Sequence, residues 1–342
     1  MIKRIFLSGM ALAWPLVTVA APVPAGAPAK PLAQAAGPAG AVAPAETPAG
    51  DTAQFPASLT PEQRKLLATQ VLLDRAHFSP GTIDARDGSN FRNAVEAWRR
   101  ATGKSGDALA ALSVTDTGPT LQRYTITTED VAGPFEPTPK GFEAQSKLKS
   151  LAYGSPAEEL AERFHADEGF LKALNPGVDF GKAGTAILVP LVTQDKLATK
   201  VIKIEVDKTR DQVRAFDGGG ALVAVYPATV GSTERPAPKG TWAVRTVAPH
   251  PTYTYDPKRL TFGKKSLGKL TIAAGPNNPV GSTWIALSKP TYGIHGTPDP
   301  ELVGKRASHG CVRLTNWDAA QLGAAVEAGT KVVFVGREQR KA

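Results

Sequence analysis

Two of the chain's five histidines and its single cysteine fall within the stretch from His295 to Cys311. The local sequences are Tyr292-Gly293-Ile294-His295-Gly296-Thr297-Pro298 and Ser308-His309-Gly310-Cys311-Val312-Arg313-Leu314. A thiol with a reference pKa of about 8.5 is only a few per cent thiolate at neutral pH. An imidazole within reach takes the proton and leaves a thiolate–imidazolium pair, a nucleophile suited to a carbonyl. The product is a thioester, and the oxyanion formed on the way needs fixed donors. Backbone N–H groups of a glycine-containing turn supply them without side-chain bulk, and Gly310 and Cys311 are placed for that. Gly296 and Pro298 predict a tight turn that holds the His295 ring. A zinc site is the competing chemistry, with His295, His309 and Cys311 as ligands and His250 or Asp299 as the fourth. The residue types suit zinc, but no second Cys-x-x-Cys or His-Glu-x-x-His frame accompanies them. The spacing therefore points to nucleophilic catalysis without metal or organic cofactor.

These residues need a scaffold, and from Val201 onward the pattern is that of strands. Val201–Val206 and Ala221–Tyr226 alternate, with the turn Asp217-Gly218-Gly219-Gly220 between them. Trp242–Val247, Trp284–Leu287 and Lys331–Val335 continue the series. One helix is expected at 316–328, with Trp317, Leu322 and Val326 available for burial. The expectation is a mainly-β catalytic domain over 200–337, a β-sandwich or barrel-like fold with one main helix. Trp284 reads as core, and Asn277, Asn278 and Gly281 as loop architecture.

The 342-residue chain has room for further domains. Thr60-Pro61-Glu62-Gln63 is a strong helix start. It opens a small α-helical domain over 58–125, with Leu66, Leu67, Val71 and Leu73 inward and a second helix at about 90–101. A second unit, over 142–192, has a capping box at Ser155-Pro156-Ala157-Glu158 and a helix opened by Asp167. That helix is halted at Asn175-Pro176-Gly177, and an apolar strand follows at Ile187–Pro190. A strand near Leu151-Ala152-Tyr153 would complete a strand–helix–helix–strand module.

Residues 21–57 hold fourteen Ala, eight Pro and four Gly and read as an extended linker. Lys3 and Arg4, the apolar run Ile5–Val19 and the small residues at its exit describe a signal peptide over 1–20. No cysteine near the exit is available for lipid modification. No later run is apolar enough to span a bilayer, so the mature protein is expected to be exported and not integral to the membrane. The net charge of +9 suits an anionic polymer. No dense basic stretch points to nucleic acid.

His295-Gly296-Thr297 followed by Ser308-His309-Gly310-Cys311-Val312-Arg313-Leu314-Thr315-Asn316 resembles the signature of the YkuD-type L,D-transpeptidases. The resemblance covers roughly Val201–Val335. It implies a periplasmic, cell-envelope enzyme of peptidoglycan biosynthesis and a target for carbapenems. In that reading Cys311 is the nucleophile and His295 the general base, with the Gly296 carbonyl orienting the ring. His309 is a second histidine that positions or handles protons. Gly310 and Cys311 supply oxyanion donors, with Tyr292 a further one, and Ser308 braces the loop. Arg313 binds a stem carboxylate; the alternative is a salt bridge beneath the loop. A stem tetrapeptide donor would lose D-alanine and be cross-linked to another stem. The alternatives are an L,D-carboxypeptidase, a protein-to-peptidoglycan ligase, or a non-catalytic wall-binding scaffold. The 58–125 unit resembles a small helical peptidoglycan-binding domain. The 142–192 unit is similar to a LysM module, either binding glycan strands or sharing only the packing. Both are expected to act as tethers, separable from the chemistry.

Overall fold

Thr60 caps the first helix, α1 (Pro61–Arg75): its hydroxyl accepts from the Gln63 amide, and the Gln63 side chain accepts from the Thr60 amide at 3.0 Å. The protein, seen in a computed structural model, is described over residues 54–193, 196–231, 236–258, 265–305 and 310–337. The expected signal peptide and most of the linker lie outside these residues, as do Ser308 and His309. Helix α2 (Ser89–Thr102) turns Val95 and Trp98 inward, and α3 (Ala108–Ser113) adds Leu112. All three pack with Leu72, Leu73 and Phe78 of the α1 region.

One strand is not where the sequence places it. Residues 151–153 are not a strand, and β1 (Leu121–Thr125) takes that part, pairing antiparallel with β2 (Ala186–Pro190). The pair joins a segment expected in the helical unit to one expected in the next. Leu151 is drawn elsewhere: its amide donates to Ala274 O at 2.9 Å and its carbonyl accepts from the Asn277 amide at 3.0 Å. Between β1 and β2 lie the single turn α4 (Phe142–Gln145), α5 (Pro156–Arg163) and α6 (Glu168–Leu174). Ser155 caps α5 and Asp167 caps α6, as their residue types dictate. The Asn175 side chain then clips the end of α6 to β2 through the amide and carbonyl of Leu188.

The remaining strands are β3 (Lys203–Asp207), β4 (Gln212–Phe216), β5 (Leu222–Pro227), β6 (Thr229–Val230), β7 (Gly240–Pro249), β8 (Tyr253–Tyr255), β9 (Leu270–Ile272), β10 (Thr283–Leu287), β11 (Gly293–His295), β12 (Val312–Arg313) and β13 (Lys331–Val335). Strands β8 and β9 form a separate antiparallel pair. The other nine form one sheet in the order β5-β4-β3-β13-β7-β10-β11-β12-β6. Its two edge strands, β5 and β6, are joined by Ala228 alone. A single residue cannot cross a flat sheet of that width, so the sheet rolls until its edges nearly meet. The domain is mainly β with a nearly closed sheet. Alternate residues, including Ile204, Val213, Tyr226, Ile285, Ile294 and Val312, fill the interior.

Helix α7 (Asn316–Ala325) adds Ala319 and Leu322 to this core. It stops three residues short of the expected end. Val326 adopts extended geometry, and the Ala325 carbonyl accepts from the Val201 amide at 2.9 Å, which turns the chain toward β13.

The upstream segments are built onto the catalytic sheet. The Val225 amide donates to His77 O and the Ser79 amide to Val225 O, both at 2.8 Å, which covers the open edge of β5. Asn277 donates to Glu158 at 2.7 Å, and the Phe142 ring lies against Tyr253 and Tyr255. Val225, fully buried, packs in the same cluster as Trp98 and Phe78, so the upstream helices share a core cluster with the sheet. Among the described residues, no helix is long and apolar enough to cross a membrane.

Candidate active site

Strand alternation places the candidate residues on the outer face of the rolled sheet. Ile285, Ile294 and Val312 point into the core, so their neighbours Trp284, His295 and Arg313 face outward. The register aligns them in one row: Trp284 pairs with His295 across β10 and β11, and His295 with Arg313 across the parallel β11 and β12. Cys311 stands two residues before Arg313 and so shares that face. The two halves of the signature meet because β11 and β12 are adjacent parallel strands.

His295 is 4% exposed. Its Nδ1 lies 2.7 Å from the Gly296 carbonyl oxygen, a pure acceptor, so Nδ1 carries the proton and Nε2 keeps its lone pair. The ring stacks on Trp284, with centroids 5.3 Å apart and planes 25° apart. Burial pushes the imidazole down to about 3, and the Arg313 charge adds to this, against the pull of the Gly296 hydrogen bond. At neutral pH the ring is an uncharged base. Gly296 cannot carry a side chain here: a Cβ would run into Asn316.

Cys311 is half-buried, and its Sγ donates to the Thr291 carbonyl at 3.8 Å. Burial pushes the thiol above its ordinary value, against the lowering by the Gly293 amide and the Arg313 charge. Burial thus acts on both groups toward their uncharged forms. Gly310 precedes the cysteine with φ at +108°, a conformation that side chains disfavour. A Cβ there would stand 3.1 Å from the Tyr292 ring, which packs under the turn.

Two hollows adjoin the row. A cleft of about 970 Å³ is lined by Arg313, Thr297, Asp299, Asn277 and residues of the α4–α6 region. Among the described residues the Arg313 guanidinium forms no ion pair or hydrogen bond, and its titratable neighbours are Cys311, Asp299 and Tyr253. A second hollow, of about 440 Å³, is lined by Thr291, Tyr253, Trp284 and Val280. Thr291 and Arg313 thus place the sulfur between them. Sequence reasoning read Trp284 as core and passed over Tyr253 and Thr291. The alternation of β10 carried a signal for Trp284, since a strand that buries Ile285 and Leu287 turns its tryptophan to the other face. Asn277 and Asn278 are loop residues, bonded to Ala152 and Ala273 carbonyls.

Residues 202–334 match the family described as YkuD, the L,D-transpeptidase catalytic domain. A Bacillus licheniformis protein provisionally named L,D-transpeptidase YkuD is 29% identical over 181 residues, 52% of this chain and 93% of that protein. The provisionally named L,D-transpeptidase YbiS of Escherichia coli K12 is 28% identical over 200 residues, 56% of this chain and 64% of that protein. The crystal structure of L,D-transpeptidase 3 from Mycobacterium tuberculosis overlaps 45% of this chain and 76% of its own, at 14% identity and a TM-score of 0.34, a loose likeness. Residues 202–334 are a YkuD-type L,D-transpeptidase catalytic domain, and the protein is an enzyme of the L,D-transpeptidase class.

Proposed function

We propose that the protein is an exported cell-wall enzyme that cross-links peptidoglycan stems through a thioester on Cys311. The observation that carries this reading is the neutral, Nδ1-protonated His295 ring on the same sheet face as Cys311, two register positions apart. Cys311 Sγ attacks the carbonyl carbon of the third stem residue while its proton passes to His295 Nε2. The tetrahedral intermediate collapses, the C–N bond breaks, and D-alanine leaves with the proton from Nε2. An amine of a second stem then attacks the thioester, loses its proton to Nε2, and the restored thiolate takes it back. The amides of Gly310 and Cys311 face the developing oxyanion, with Tyr292 below the turn. His309 and Ser308 complete the signature in a segment outside the described residues.

Arg313 offers a guanidinium fork, which suits a carboxylate of the donor stem. The hollows on either side of the sulfur suit a reaction with two substrates. The mildly basic chain, its signal-peptide-like start and the two upstream units, one LysM-like, fit a protein that works on glycan strands outside the cytoplasm. Both upstream units touch the catalytic sheet, so in this reading they orient wall polymer as well as holding it.

The test is mass spectrometry of muropeptides digested from sacculi treated with wild-type enzyme and with Cys311→Ala. New dimers made by wild type alone establish transpeptidation. Shortened monomers alone establish a carboxypeptidase, and a protein-linked muropeptide establishes attachment. Products unchanged in Cys311→Ala overturn the mechanism.

A further inference from the structure

The upstream helix α5 reaches the face of the sheet that holds the histidine. Glu162, 8% exposed, accepts from Asn316 Nδ2, which lies 3.0 Å from both carboxyl oxygens. The same amide nitrogen reaches Pro276 O at 3.2 Å, and Asn316 Oδ1 accepts from the Ser282 amide at 3.0 Å. Asn316 thereby occupies every polar atom of its side chain while 4% exposed. It sits in a slot floored by Gly281 and Gly296, and a Cβ on either glycine would overlap its Oδ1. Gly296 is the residue whose carbonyl holds His295 Nδ1–H, and its own amide donates to Thr283 O at 3.1 Å.

We propose that Glu162 is a positioning residue for acyl transfer: by fixing Asn316 against Gly296, it sets the orientation of the His295 ring. This rests on the reading of His295 as the base. The helix α5 lies outside the matched region, which begins at residue 202, so the carboxyl of this contact comes from outside that region and the amide, Asn316, from within it. Two further observations support it. Tyr153 hydroxyl approaches the second Glu162 oxygen at 3.5 Å, which leaves the carboxyl fully enclosed by polar partners. Burial raises Glu162 to about 8, so the group that faces Asn316 at neutral pH is a neutral acid, for which glutamine is a close mimic.

The experiment compares full-length Glu162→Leu, Glu162→Gln and Asn316→Asp with wild type on a soluble disaccharide-tetrapeptide, alongside His295→Ala. A displaced ring of about 1 Å is enough to lower kcat on the order of 100-fold. Glu162→Leu is expected to lower kcat by roughly 10- to 100-fold with KM little changed, and Glu162→Gln to restore most of that loss. In ¹⁵N-histidine-labelled protein, the His295 Nδ1–H resonance shifts in Glu162→Leu and keeps its place in Glu162→Gln. Asn316→Asp, which removes the donor and keeps the oxygen that accepts from the Ser282 amide, reproduces the leucine phenotype should Glu162→Leu fold poorly. Combining it with Glu162→Gln reverses the direction of the amide–carboxyl bond and recovers kcat. A folded Glu162→Leu or Asn316→Asp with wild-type kcat and an unshifted resonance overturns the positioning role. An active His295→Ala overturns the underlying assignment of the base instead.

Discussion

Arg313 and His295 are paired residues on adjacent parallel strands, so a permanent cation flanks the ring that is to accept a proton. The guanidinium lowers both the imidazole and the thiol, while burial lowers the imidazole and raises the thiol. Burial thus favours the uncharged form of each group, and in the proposed mechanism the proton moves as the new C–S bond forms.

This arrangement fixes the pH dependence. Iodoacetamide alkylation of Cys311 is expected to keep rising with pH into the alkaline range, with no plateau between pH 5 and 8. A preformed ion pair would give that plateau, and finding one by intact-mass measurement contradicts the uncharged forms. His295, held at about 3 against an ordinary 6.5, also binds fewer protons folded than unfolded between those values. Stability conferred through it is present above pH 6.5 and declines as pH falls toward 3.

Glu162 acts in the opposite sense. Its value is raised from 4.5 to about 8, so the folded state binds the extra proton between those limits. Stability associated with the group is complete below pH 4.5 and is lost as pH rises through 8. Urea unfolding of Glu162→Gln is expected to show a flatter decline from pH 5 to pH 9 than wild type. Parallel curves would remove the buried acid from the account.

Arg313→Gln should raise KM for a donor stem with a free carboxylate by roughly 10-fold or more, a charged hydrogen bond being worth about 1.5–3 kcal/mol. The same variant should leave KM for an amidated donor near the wild-type value. Equal effects on both donors would show that the guanidinium does not read the carboxylate.

Removal of residues 58–192 exposes Val225 and uncovers the edge of β5. It also deletes Glu158 and Glu162, the partners of Asn277 and Asn316. The isolated 200–337 segment is expected to melt at a markedly lower temperature than the whole chain and to cross-link poorly. Calorimetry showing an unchanged melting temperature would restore the picture of independent tethers.

The sequence carried the scaffold well where local rules dominate. The caps at Thr60, Ser155 and Asp167 opened helices as expected, and the alternation of Lys331–Val335 became β13. The strand at 151–153 was misplaced because Leu151 spends both backbone groups on a distant loop, a non-local event that no short pattern encodes. The His295 and Cys311 segments were legible from residue type and spacing. The burial that disfavours charge on both groups was not, nor was the placement of Arg313 beside His295, since both depend on which strands become neighbours. The Glu162–Asn316 contact spans 154 positions and joins two parts expected to be separable, so nothing local announced it.

Ala228 joins strands at opposite rims of the sheet, and this shapes how the molecule must assemble. Thr229–Val230 leaves the growing chain long before Val312–Arg313, its antiparallel mate, is synthesised. Contacts this distant in sequence form late, because loop closure precedes any gain from pairing. The pairing that holds the residue after Cys311 therefore joins positions 82 apart (312 − 230) and waits on the synthesis of the segment that carries the thiol.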